Sequence, residues 1–184
     1  MARIPLVTRD LVKEELRQVF DDISSGPGGV GTGPMSILKY SPEMARRARP
    51  LFDYVRNESS LPSKIRELAM IFTARAMDCP YIWHAHAGFA RQEGLSDALV
   101  DALRDKQPLP TASPDETAVI AYATQLFNTK RVDTDTFQAV LDNFGAQGLT
   151  ELTTLLCYYT MLAFNANAVE LDLPEDHAEP ALPV

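Results

Sequence analysis

LPSKIRELAMIFTARAMDCPYIWHAHAGFARQEG, residues 61–94, reads as two helices joined by a tight turn. Leu61-Pro62-Ser63 opens the first, since a proline in a helix's first turn lacks only an N–H that has no helical partner there. Ile65, Leu68, Ala69, Phe72 and Met77 then recur at helical spacing. Pro80 begins the second helix, and Gly94 stops it as a C-terminal glycine does. No alternating strand pattern bounded by hairpin signals occurs here or elsewhere in the chain, so the predicted fold class is all-α.

Upstream, residues 12–23 carry Leu16, Val19, Phe20 and Ile23 at helical spacing among charged residues, an amphipathic helix that ends at Ser24-Ser25-Gly26. Residues 26–34 form a glycine-rich loop in which Gly26, Gly28 and Gly31 spell G-x-G-x-x-G. A dinucleotide site is rejected, because no strand precedes the loop and Pro34 follows it; a mobile loop near the site is expected instead. Ser41-Pro42-Glu43 starts a helix, with Ser41 as its capping hydroxyl, and Pro50 is expected to kink or end it.

Downstream, Ser96 starts a short helix to about Arg104, and Ser113-Pro114-Asp115-Glu116 caps another over 119–128. Asp133 caps a helix to about Asn143, and Thr150 is expected to cap a last one to about Glu170. The acidic, proline-rich tail from Asp172 is expected to be loose. One helical domain is predicted over 1–184, with its core at 41–130, an N-terminal helix and glycine loop at 1–40, and the final helix and tail at 149–184. Because the last helix is apolar nearly all round, a homo-oligomer is predicted.

Hydrophobic residues make up 46% of the chain and charged residues 23%, the ordinary globular range. A net charge of -8 without a basic cluster argues against nucleic-acid and membrane partners. The longest apolar stretch, 155–164, falls well short of the ~18 residues of a membrane span. The N-terminal ten residues hold too few apolar side chains for a signal peptide, and Cys79 and Cys157 do not make a disulfide framework, so a cytoplasmic location is expected.

Cys79 precedes a proline, which places it at a helix's N-terminal edge. The amides there favour a thiolate and a pKa below the reference of about 8.5. Against this stands the usual fate of a free cysteine, burial as a small apolar residue. Trp83 and His86 follow on the same helical face, although two turns separate Cys79 from His86 by about 10 Å. Trp83 stands between them as core packing or as a stacking wall.

His84 and His86 point to nearly opposite sides and cannot share a metal; without other ligand spacing, no metal site is expected. His84 is assigned to the surface or an interface, His177 lies in the tail, and Cys157, inside the apolar last helix, receives no role. Glu67 has two readings. An antiparallel return of the chain brings it to His86 as a carboxylate–imidazole pair, whereas spacing alone favours a solvated face shared with Lys64, Arg75 and Asp78.

Residues 61–69, followed by Cys79-Pro80-Tyr81-Ile82-Trp83-His84-Ala85-His86, resemble the carboxymuconolactone decarboxylase and alkylhydroperoxidase D superfamily. The resemblance covers roughly 41–130, and 149–173 is similar to the final helix of longer members. In the hydroperoxidase branch, Glu, Cys-x-x-Cys and His work through two thiols that cycle as a disulfide. Here Cys79 matches the first cysteine, Ile82 stands in place of the second, and Tyr81 replaces a histidine. That leaves a one-cysteine peroxidase with an external reductant as one alternative.

Tyr81 to His86 is more similar to the Tyr-x-Trp-x-x-His form of decarboxylase-like members. This resemblance implies cofactor-free acid–base decarboxylation or isomerisation of an unsaturated lactone or aromatic ring-cleavage acid. His86, held by Glu67, returns a proton to carbon; Cys79, Trp83, Tyr81 and Ile82 shape the pocket, and Arg66 or Arg75 holds a carboxylate. It also implies trimers or hexamers. A helical oligomer that merely binds a small acid is the third reading.

Overall fold

A computed structural model describes residues 2–26, 29–173 and 179–184, so Gly28 of the glycine pattern and His177 lie outside the described residues. Two 3₁₀ turns, Arg9–Leu11 and Glu14–Leu16, lead into α1 (Arg17–Ser24). There follow α2 (Pro34–Leu38), α3 (Pro42–Asp53), a π-helical turn at Tyr54–Glu58, α4 (Ser63–Ala76) and α5 (Pro80–Gln92). The chain then forms α6 (Asp97–Arg104), α7 (Pro114–Thr129) and α8 (Thr134–Ala168). The predicted all-α class holds, with no strand among the described residues.

Local chemistry explains most boundaries. Pro34, Pro42, Pro80 and Pro114 occupy first turns, and the Asp133 carboxylate accepts the Thr136 amide at 2.8 Å. Ser113 and Glu116 form a reciprocal capping box. Gly94, at φ 99°, closes α5.

Four sequence expectations are corrected. The helix expected over 12–23 is regular only from Arg17. Ser41 precedes α3 without a side-chain cap, and Pro50 does not end the helix, which runs on to Asp53. Pro50 lies on the exposed side, where water can serve the carbonyl that a proline leaves unbonded. The two helices expected at 133–143 and 150–170 are the arms of α8, broken at Gly145 (φ 67°, ψ 178°), a conformation open to glycine. Thr150 is therefore no cap; its hydroxyl donates to the Ala146 carbonyl one turn back.

The tail is not loose at its end. Arg75 donates to the Pro183 carbonyl at 2.9 Å, Arg91 pairs with Glu179 at 3.1 Å, and Leu182 is buried.

Helix α4 is the centre of the molecule, packed against α5, α7 and α8, with Ile65, Leu68, Ala69 and Ile71 fully buried. The chain reverses into α5 through Asp78, whose φ of 46° is a left-handed value that aspartate tolerates. The Cys79 amide donates to the Ala74 carbonyl at 2.8 Å, and the Asn167 side chain of α8 donates to the Met77 carbonyl at 2.8 Å. Among the described residues no helix is long and apolar enough to cross a membrane.

One buried acid fixes the π-helical turn. Glu151 accepts the Ser60 amide at 2.8 Å, the Ser60 hydroxyl at 2.6 Å, the Tyr54 hydroxyl at 2.6 Å and the Gln147 amide at 2.9 Å. Burial alone would raise its pKa, but these donors outweigh burial and hold it at about 2. A depressed carboxyl stabilises the fold fully above its ordinary 4.5, and the contribution is lost as pH falls towards 2. Glu151→Ala is expected to lower the unfolding free energy by about 2–3 kcal/mol at pH 7, where four donors lose their partner. In urea titrations the gap between wild type and variant should narrow from pH 5 to pH 2.5; a constant gap contradicts the assignment.

Candidate active site

Glu67 and His86 lie on adjacent turns of α4 and α5, facing across the helix pair. His86 Nδ1 is 2.8 Å from Glu67 Oε2, and the imidazole is only 4% exposed. Its Nε2 faces the Tyr159 hydroxyl of α8 at 3.3 Å, with the two rings edge to face at 5.3 Å. A carboxylate accepting from Nδ1–H leaves Nε2 as the nitrogen that exchanges protons with Tyr159 or a ligand. Burial, ahead of nearby Glu67 and Tyr158 and against the opposing pull of Arg56, pushes the Tyr159 hydroxyl well above the usual tyrosine range. It is therefore a neutral O–H at working pH. The solvated-face reading of Glu67, favoured by spacing alone, is overturned by this contact.

A cavity of about 340 Å³ opens over this relay. His86 and Tyr159 border it together with Ile82 and Tyr81, and Phe52, Arg49 and Arg56 line it as well. The glycine loop approaches through Gly33, and the Thr32 hydroxyl lies 3.3 Å from that of Tyr81. The two guanidinium groups sit over the Phe52 ring at 5.8 and 5.5 Å, within cation–π range. Arg49 is ion-paired with Asp53 at 2.7 Å, whereas Arg56 pairs with no carboxylate among the described residues. A cation without an acid, beside a proton relay and an aromatic ring, is a place for an anionic ligand.

The other candidates separate. Cys79 is 0% exposed and does not border the cavity. Burial raises its pKa, and the Ile82 and Tyr81 amides only partly offset it, so of the two readings of Cys79 the buried apolar thiol holds and the activated thiolate does not: the amides are present, but desolvation wins. Trp83 is fully buried, with no hydrogen-bond partner for its indole N–H among the described residues, and it packs the core rather than walling the cavity.

Arg66 and Arg75 do not reach the cavity. Arg66 donates to the Leu61 carbonyl, and Arg75 serves the Arg104 and Pro183 carbonyls and the Asp78 carboxylate. Cys157, predicted buried, is exposed. No group of three or more His, Cys, Asp or Glu side chains among the described residues is placed to hold a metal ion.

The carboxymuconolactone decarboxylase family model matches residues 42–125, the segment that carries Arg49, Phe52, Arg56, Glu67 and His86. The helical arrangement extends the likeness over nearly the whole chain. A peroxidase-related protein from Ralstonia eutropha with an alkylhydroperoxidase AhpD core superposes with a TM-score of 0.70 at 17% identity, covering 95% of this chain and 93% of its own. The chain resembles the carboxymuconolactone decarboxylase family in sequence over that segment, just under half of its 184 residues, and shares the alkylhydroperoxidase D-like fold over nearly its whole length.

A putative antioxidant defence protein AhpD from Agrobacterium tumefaciens superposes at TM-score 0.66 and 17% identity, over 76% of this chain and 96% of its own. The debrominase Bmp8, solved as a cysteine-to-alanine variant with 2,3,4-tribromopyrrole, superposes at 0.68 and 15% identity, over 95% and 92%. At these identities the structures share the fold. No curated protein matches the chain.

Sequence reading missed Tyr159, Phe52, Arg49 and Arg56. A signal for two of them existed: a spacing of three along α3 puts Arg49 and Phe52 on one side, whereas Arg56 lies in the π-helical turn, where that spacing does not hold. For Tyr159 the clue was weaker, a hydroxyl in a helix otherwise read as apolar. The burial of Cys79 gives a direct test. In native protein at pH 8, iodoacetamide is expected to modify Cys79 about tenfold more slowly than after denaturant is added, or not at all. Equal rates at Cys79 in the folded and the denatured protein contradict the burial argument.

Proposed function

We propose that this chain is an acid–base enzyme of the decarboxylase-like kind, acting on an unsaturated lactone or related ring-cleavage acid. The observation that carries the reading is the Glu67–His86–Tyr159 relay bordering one cavity together with an arginine, Arg56, that has no carboxylate partner among the described residues. In the forward step the bond from carbon to the departing carboxylate breaks. Its electron pair enters the conjugated system, and carbon dioxide leaves. His86 takes up a solvent proton at Nε2 while its Nδ1–H stays anchored on Glu67, delivers that proton to the carbon that lost carbon dioxide, and returns to the neutral imidazole.

An arginine placed on the departing carboxylate would stabilise the reactant and slow its loss. Arg56 is better suited to the oxygen on which negative charge accumulates, or to an anionic group that stays on the substrate. The departing carboxylate then lies against the apolar wall of Phe52 and Ile82, where desolvation favours the neutral product. The one-cysteine peroxidase reading loses support, since Cys79 neither faces the cavity nor is held as a thiolate.

We further propose self-association through the second arm of α8. Thr150, Thr154, Cys157, Met161, Phe164 and Ala168 recur at alternating spacings of four and three, and Phe164 is 60% exposed. The stripe is neutral in a chain of net charge -8, so a second copy meets it without like-charge repulsion. Light scattering should give an oligomer for wild type and a smaller species for Phe164→Glu.

For the reaction, purified protein is assayed for carbon dioxide release from carboxymuconolactone-type acids and, with a thiol reductant, for consumption of organic hydroperoxides. His86→Ala should lower kcat for the acid by about 10²–10⁴-fold, and Arg56→Gln should raise KM about tenfold. Cys79→Ser should retain decarboxylation. Peroxide consumption that depends on Cys79 and not on His86 overturns the reading.

A further inference from the structure

A second chamber of about 200 Å³ adjoins the reaction cavity, and the two share Gly33, Met35 and Arg49 on their walls. Its lining includes Lys39, a residue only 8% exposed, whose Nζ donates to the Gly29 carbonyl at 2.7 Å. No acid among the described residues pairs with Lys39. The charge that acts on it most is a like one, from Arg49. Arg49 engages Asp53 through Nε alone, which leaves its terminal amino groups without a hydrogen-bond partner among the described residues.

The remaining acid of α3, Glu43, is taken by Arg46 and Arg47. The adjoining chambers are therefore bordered by Lys39, Arg49 and Arg56, with Asp53 the acid ion-paired to this set, in a chain whose net charge is -8. Burying an ammonium against a like charge is costly unless an anion joins the pair.

We propose that Lys39 and Arg49 form an oxyanion subsite opening off the reaction cavity, and that it holds a second anionic group of a dianionic substrate. This rests on the acid–base reading of the cavity and adds its specificity. The reacting end lies against His86, while a carboxylate that takes no part in bond breaking reaches past Met35 to Lys39. The subsite selects dianions over monoanions, and the glycine loop, which supplies Gly29 and Gly31 to the chamber, is its outer wall.

The test is calorimetric, on the full chain, with benzoate as the monoanion and phthalate, isophthalate and terephthalate as dianions. The best dianion should bind about tenfold tighter than benzoate to wild type, the increment expected of one charge-assisted contact. Lys39→Met, which keeps length and removes charge, should bring that ratio close to one; Arg49→Gln serves as a second variant should the first not fold. An unchanged ratio in either folded variant overturns the subsite.

Inorganic phosphate separates a substrate group from a free ion. Competition between phosphate and the best dianion supports the proposal, whereas both bound together mean that the subsite takes a free oxyanion, and the dianion assignment fails. If benzoate does not bind and its weakening by Arg56→Gln cannot be seen, the acid–base reading fails instead. Phosphate binding lost in Lys39→Met then still distinguishes a genuine oxyanion site from none.

Discussion

An imidazole buried to 4% exposure must have both nitrogens satisfied, and this requirement organises the centre of the molecule. His86 meets it with Glu67 on one side and Tyr159 on the other, so three helices are tied at one point: α4, α5 and α8. The reversal at Asp78 and Cys79 sets the register in which Glu67 can reach His86. Asn167, two turns beyond Tyr159 on α8, holds that reversal by donating to the Met77 carbonyl. The same helix thus secures the turn and supplies the third member of the relay.

Charge is distributed unevenly around this point. The chain is acidic overall, yet the cavity beside the relay is lined by Arg49 and Arg56, both within cation–π range of the Phe52 ring. The aromatic ring attracts the two guanidinium groups without neutralising them, as an acid would. Phe52 also stacks on Tyr159 with centroids 6.5 Å apart, so the cationic wall and the relay share one rigid partner. Arg56 owes its place to a more distant group as well, since Glu151 fastens the ends of the turn that carries it.

The elements that sequence revealed are those with local causes. Helix starts at Pro80, Pro114 and Asp133, and the stop at Gly94, follow from proline geometry, capping and left-handed backbone, each confined to a few residues. Glu67 and His86 were legible as a pair once an antiparallel return was assumed. What stayed hidden depends on long-range packing. Whether Cys79 is a thiolate or a buried thiol is a balance between local amides and tertiary desolvation, and spacing reports only the amides. Arg66 and Arg75 sit near the motif in sequence, but backbone carbonyls claim them, while Arg49 and Arg56 arrive from another helix. The break at Gly145 was masked because both arms of α8 carry the same helical pattern.

The π-helical turn at Tyr54–Glu58 has a geometric consequence. Such a turn holds one residue more than the α-helical turn it replaces, and each residue of an α-helix advances the side-chain direction by about 100°. Arg56 lies inside this turn, whereas Glu67, His86 and Tyr159 lie on α4, α5 and α8, so the direction of the arginine is set by the length of one short turn, separately from the helices that carry the other three.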